Sequence, residues 1–320
     1  MILVVPPPRA AFAALALVAV ATLASCTGAS VPTASSGASG GARALSVATA
    51  FYPLQFATQQ IAGPHALVTS LTRPGAEPHD VELSAKEVVG LRKADLLVYE
   101  SGFQPAVDQA MDLLDASKVL DVTPLADLTL TGAQDDQAHA AGDGHAHAVD
   151  PHFWLDPERY ATVAEAIGER LSREDPAHAA DYTARTRAFV DRLDALDAQF
   201  RAGLAHCRIP DLVTSHAAFG YLAQRYGLTQ HGITGISPEA EPSAAALAAI
   251  ADLVKAHGVT TVYQETLVEP HFADVIATET GAVVATLDPL EGITKASAGT
   301  DYFEVMHANL ATLEKGQQCR

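Results

Sequence analysis

Basic residues are scarce in this 320-residue chain: 20 Lys and Arg stand against 38 Asp and Glu, for a formal net charge of −18. That balance excludes a nucleic-acid partner, since phosphate binding rests on Lys and Arg. The excess of acid either draws cations in or simply keeps the chain soluble. Enzyme motifs are missing too. There is no His-Glu-x-x-His pair for a zinc protease, no Gly-x-Ser-x-Gly elbow and no phosphate loop. After residue 24 no run is long and apolar enough to span a bilayer. Tryptophan occurs once and cysteine three times, so each of these residues has to be accounted for individually.

The first of the cysteines closes an apolar run. Ala10 to Ala24 is short for a membrane span but fits the core of an export signal. It ends in Leu23-Ala24-Ser25-Cys26, which resembles the lipobox of bacterial lipoproteins. By that resemblance residues 1–25 are a signal peptide and Cys26 carries the lipid. A plain signal or a buried core helix is the alternative. Residues 26–43, rich in Ser, Gly, Ala and Thr, read as a flexible tether. Such a chain is anchored to a membrane without crossing it. Cys207 and Cys319 then remain. Outside the cytoplasm two leftover thiols usually pair, here tying the start of the second half to the C-terminus; free thiols are the other reading.

From residue 44 the chain alternates between strand and helix signals, which predicts parallel sheets covered by helices. Leu45 to Phe51 reads as a strand, followed by a helix with Pro53 in its first turn, and Gly63-Pro64 stops that helix. A loop, Arg73 to Asp80, is stiffened by proline on both sides of Gly75, and Ser84 with Glu87 forms a capping box. Ala94 to Tyr99 is an apolar strand ending at Glu100. From Pro176 to about Ala205, Tyr182, Phe189, Leu193, Leu196, Phe200 and Leu204 recur at helical spacing, predicting one long helix. The α/β pattern then restarts. One strand ends at His216 and another near Glu265, Pro242 opens a helix in its first turn, and a last strand delivers Asp288-Pro289-Leu290. The fold class is therefore α/β: two lobes, each a parallel sheet covered by helices, with the long helix as a linker that bridges them or as one arm of a helical hairpin. Their bounds are 44–175, 176–206 for the linker, and 207–320.

Ligands in such sheets sit at the carboxyl ends of strands, and the histidines gather there. His79 and Glu100 fall at such ends in the first lobe, and His152 is held between two Asp-Pro turns. His216 and Asp288 follow strands of the second. Three neutral imidazoles and one carboxylate, His79, His152, His216 and Asp288, suit tetrahedral zinc. Asp288 would close the site, which argues against a hydrolase needing an open position. Glu77 and Glu265 are candidates to accept a hydrogen bond from the far nitrogen of a ligand imidazole, or else form surface salt bridges. Trp154, the lone tryptophan, packs under the loop to orient His152, or stacks on a ligand. A polar loop, residues 134–148, carries His139, His145 and His147. It is either a low-affinity metal tract or a solvated, composition-biased segment. The other histidines, His65 and His257 among them, read as surface, cap or core residues.

These landmarks also resemble a family. Phe51-Tyr52-Pro53-Leu54, Gly75-Ala76-Glu77-Pro78-His79-Asp80, Asp150-Pro151-His152-Phe153-Trp154-Leu155, His216-Ala217-Ala218-Phe219-Gly220-Tyr221 and Leu287-Asp288-Pro289-Leu290 are similar, in this order, to the metal-specific solute-binding proteins of bacterial ABC importers, the cluster A-I or cluster 9 group, zinc-uptake lipoprotein type. The resemblance implies two lobes joined by one long rigid linker helix and a Zn²⁺ ion in the cleft between them, with His79, His152, His216 and Asp288 as ligands. It further implies an extracytoplasmic, lipid-anchored monomer that is not an enzyme and passes zinc to a membrane permease and its ATPase. Manganese members typically carry glutamate where this chain has His216, so nitrogen there favours zinc. The alternatives are a manganese or iron protein of the same family, or a zinc-buffering surface adhesin.

Overall fold

The computed structural model describes residues 43–131, 149–267 and 271–320. Cys26 and the stretches read as a signal and a tether lie outside the described residues, except for Arg43; so do His139, His145 and His147. The first half contains β1 (Leu45–Thr49), α1 (Tyr52–Ala62), β2 (Ala66–Ser70), α2 (Ala85–Lys93), β3 (Leu96–Tyr99), α3 (Pro105–Met111) and β4 (Val119–Asp121). All its strand pairs are parallel, in the order β2-β1-β3-β4. Every residue of β3 is buried, as expected of a strand covered on both faces. The capping box at α2 forms: Ser84 Oγ accepts from the Glu87 amide, and Glu87 Oε2 accepts from the Ser84 amide at 2.7 Å.

Two long antiparallel-packed helices follow, α4 (Pro157–Glu174) and α5 (Ala179–Gly203). They approach closely at Gly168, where a Cβ would collide with Thr186 Oγ1. The linker helix thus begins three residues later than its proline suggests, because Pro176–His178 forms a separate 3₁₀ turn. At its far end Asp197 accepts from Arg225 Nε at 2.6 Å and from the Tyr226 hydroxyl at 3.0 Å, so the helix reaches the second half.

The second half repeats the first: β5 (Asp211–Thr214), α6 (Gly220–Tyr226), β6 (Thr229–Gly232), α7 (Ala244–His257), β7 (Thr261–Gln264), α8 (His271–Thr280), β8 (Val283–Thr286) and α9 (Tyr302–Gly316). Its strands are again all parallel, ordered β6-β5-β7-β8. Pro242 is not in the first turn of α7. Ser243 is the cap, its Oγ accepting from the Ala246 amide at 3.1 Å, and its extended backbone keeps Pro242 outside the helix.

The core does not stop at the boundary between halves. Tyr302 and Phe303 of α9 pack against Phe56 and Tyr160 from the first half and Phe189 of α5, with Tyr302 and Tyr160 ring centroids 4.9 Å apart. A second, smaller cluster, including Val213, Ile250, Val262 and Ile276, lies within the second half alone. Opening the halves like a hinge would expose the shared aromatic contact, and large apolar interfaces of this kind hold domains together. Cys207 and Cys319 are disulfide-bonded, so the paired reading holds and the free-thiol reading does not. Among the described residues no helix is long and apolar enough to cross a membrane.

Candidate metal centre

Both sheets reverse their strand order between the first and third strands, and the loops leaving such switch points form the ligand crevice of open α/β sheets. His216 lies two residues beyond β5, and Glu265 immediately follows β7. His79 sits in the loop after β2, a loop secured from inside by Gln104, whose Nε2 donates to Pro78 O at 3.0 Å. His152 heads a buried 3₁₀ turn, Phe153–Leu155, just before α4. The loop after β8 supplies Glu291.

These four side chains converge. The ligand atoms of His79, His152, His216 and Glu291 all lie within 4.8 Å of one another. His79 Nε2 and His152 Nε2 each stand 3.0 Å from Glu291 Oε1, and His216 Nε2 is 3.5 Å from the same oxygen. Tetrahedral bonds of about 2.0–2.1 Å place neighbouring ligand atoms roughly 3.3 Å apart. The distances to Glu291 bracket that value. His152, His216 and Glu291 are at most 1% exposed, and both His216 Nε2 and Glu291 Oε2 are buried without a hydrogen-bond partner. Unpartnered buried polar atoms are costly, and here a cation among the four donors would satisfy them. The donor set and its spacing fit a small divalent ion.

The far nitrogens are held from outside. His152 Nδ1 lies 2.7 Å from Asp150 Oδ1, and His216 Nδ1 lies 2.7 Å from Glu265 Oε1. Carboxylates in this position fix the tautomer and raise ligand basicity. Burial alone would lower the pKa of His152, but hydrogen bonds to Asp150 and Glu291 outweigh it and hold the imidazole above its ordinary range. His216 behaves likewise, burial being overcome by the charges of Glu265 and Glu291. For His79 burial wins and the pKa falls. Glu291 is pushed up by its burial, yet the charge of His216 and hydrogen bonds from the imidazoles hold it well below the usual carboxylate range. Burial and the nearby charge of Glu291 push Glu77 up to about 8.

The structure brings His79, His152 and His216 together but leaves Asp288 out. The Oδ1 of Asp288 accepts from the Leu290 amide two residues on, at 2.8 Å, closing a local turn, and the fourth position is taken by Glu291. Glu77 accepts from the backbone amide of His79 at 3.1 Å and stays 4.0 Å from its ring Nε2. Trp154 packs against the His152 ring, centroids 5.2 Å apart, and donates to Pro289 O. Sequence reasoning missed Glu291 and Asp150. A signal for the first existed: Asp before Pro commonly caps its own turn, which left the second carboxylate of the same loop as the free one. Asp150→Asn and Glu265→Gln should each weaken metal binding by about 10–100-fold without unfolding the chain. A chelator competition titration checks this, and wild-type affinity in both variants would remove these carboxylates from the site.

Residues 47–316 match the family described as ZnuA, zinc-uptake complex component A, periplasmic. The zinc-binding lipoprotein AdcA of Streptococcus pneumoniae serotype 4 is 38% identical over 277 residues, covering 85% of this chain but 55% of AdcA. The chain thus spans about half the length of such relatives. The high-affinity zinc uptake system protein ZnuA of Bacillus subtilis is 32% identical over 283 residues, covering 84% of this chain and 86% of that protein. Among solved structures, the Zn(II)-bound ZnuA-like domain of S. pneumoniae AdcA superposes with a TM-score of 0.71 at 35% identity, over 86% of this chain and 99% of that one. The laminin-binding protein Lmb of Streptococcus agalactiae, described as having adhesin and metal-transporting activity, gives 0.72 at 35% identity, over 85% of this chain and 99% of that one. With the match extending through both sheets and all four converging side chains, the chain belongs to the ZnuA family of zinc-uptake components.

Proposed function

We propose that this protein captures Zn²⁺ between its two halves and hands it to a membrane permease driven by an ATPase. The observation that carries the reading is the convergence of three imidazole nitrogens and one carboxylate oxygen at ligand-to-ligand spacing in a buried site. His79, His152, His216 and Glu291 hold the ion. Three nitrogen donors with a single anionic oxygen favour zinc over manganese, which prefers oxygen-rich octahedral surroundings. Four donors facing one point make the role of the site binding and not turnover. Lipid attachment at Cys26 would place the protein outside the cytoplasm, where its cargo arrives, and a monomer suffices because all four ligands come from one chain.

A proton and the metal compete for each imidazole nitrogen, so binding is strongest above the histidine range and weakens as pH falls through it. The whole chain should take up one Zn²⁺ and lose affinity steeply between neutral pH and about pH 5, below the unperturbed imidazole value of about 6.5. Metal analysis and competition titrations at several pH values test this. Affinity that stays flat across that interval, or less than one zinc per chain, would overturn the reading.

A further inference from the structure

The loop that carries Glu291 is fixed by more than its neighbours in sequence. Leu290 adopts a left-handed backbone at φ 60°, a conformation that branched side chains disfavour and that persists only where surrounding groups hold it. Three side chains do so. Asp288 Oδ1 accepts from the Leu290 amide. Asn309, on α9, grips Asp288 on both sides: its Oδ1 accepts from the Asp288 amide at 3.0 Å, and its Nδ2 donates to the Asp288 carbonyl at 2.7 Å. Trp154, from the first half of the chain, donates its indole N–H to Pro289 O at 2.8 Å. Asn309 and Asp288 are 3% and 2% exposed and Leu290 is fully buried, so water cannot substitute for these bonds.

Helix α9 ties the set together. Tyr302 lies two turns before Asn309, on the same face, and its hydroxyl donates to the Trp154 carbonyl at 2.6 Å. One helix therefore grips the Glu291 loop directly and also secures the tryptophan that grips it from the other half. We propose, on the zinc reading above, that Asn309 and Asp288 are positioning residues. They hold Glu291 in its ligating orientation before the ion arrives, so that ordering it is not a cost of binding. Asp288 acts through its Oδ1 acceptor and not through its charge.

Zn²⁺ release from the whole chain into excess chelator, together with the visible spectrum of the Co²⁺-loaded protein, tests the assignment. Asn309→Leu and Asp288→Ala should release Zn²⁺ about tenfold faster or more, the scale expected when a group supporting a ligand is lost. Both should lose intensity in the tetrahedral Co²⁺ bands. Asp288→Asn keeps an oxygen that accepts from Leu290, and should release Zn²⁺ close to the wild-type rate. A folded Asn309→Leu variant with unchanged release and spectrum would overturn the proposal. So would Asp288→Asn behaving like Asp288→Ala, because that would make the charge the working feature. If Asn309→Leu does not fold, the two Asp288 variants decide alone. A wild-type chain that takes up no Zn²⁺ would sink the zinc reading and this inference together, whereas normal wild-type binding with unaffected variants would sink the inference only.

Discussion

Glu291→Ala is expected to lower Zn²⁺ affinity by at least roughly a hundredfold, beyond the 10–100-fold typical of losing a supporting group around a ligand. A hundredfold corresponds to about 2.7 kcal/mol of binding free energy. The reason is that Glu291 alone supplies the anionic oxygen on which all three imidazoles are centred. Without it three neutral nitrogens remain, and the positive ion would sit in a buried site with no compensating charge in direct contact. Asp150 and Glu265 keep their hydrogen bonds to His152 and His216, so the fold should survive and the loss should be confined to binding. Competition against a chromophoric chelator measures it. Unchanged affinity in a folded Glu291→Ala variant would mean that the ion sits elsewhere.

The second large effect concerns the fold and not the site. The Cys207–Cys319 disulfide closes a loop 112 residues apart in sequence. Cross-linking so long a loop restricts the unfolded chain by about 4–5 kcal/mol in the loop-entropy model. Reduction, or Cys207→Ser with Cys319→Ser, should therefore lower the Tm by about 10 °C. The native junction should persist in the variant, because Gln317 holds it independently. Its Nε2 donates to Ile209 O at 2.8 Å and to Asp211 O at 2.9 Å, and its Oε1 accepts from the Tyr263 hydroxyl at 2.9 Å. Neither cysteine touches the four converging side chains, so Zn²⁺ affinity should stay at the wild-type value. Thermal melts with and without reductant check the first expectation. A Tm that does not move would mean that the unfolded chain gains little freedom when the bond is opened, against the loop-entropy model.

The capping box at Ser84 and Glu87, the buried strand ending at Tyr99 and the long amphipathic helix of aromatic and leucine spacing could all be read from sequence, because each depends on residues within a turn or two. The placing of His79, His152 and His216 could be read for the same reason: each follows a strand or sits in a proline-fixed turn, and strand ends in such sheets face the ligand crevice. Two local readings went astray at the scale of a few residues, where a cap or a 3₁₀ turn competes with a helix. Pro242 stands outside α7 because Ser243 caps it, and the linker helix starts at Ala179 because Pro176–His178 turns separately.

Such reasoning chose Asp288 over Glu291, although an Asp before a Pro commonly caps its own turn. Both are carboxylates in one short loop, and distance from the strand favoured the first. In the structure Leu290, between the two, takes a left-handed backbone, and the loop is hydrogen-bonded to Asn309, 21 residues beyond Asp288, and to Trp154, 135 residues before Pro289. Asp150 went unassigned for a related reason, since an Asp-Pro pair predicts a turn whether or not its carboxylate also meets an imidazole. Sequence by itself determined the elements, the alternation that makes two parallel sheets, and the three histidines in loops after strands or in a proline-fixed turn, all set by short-range sterics and hydrogen bonding. Only the tertiary structure decided which oxygen joins them, because side chains distant in sequence must be packed before the loop can turn that oxygen inward.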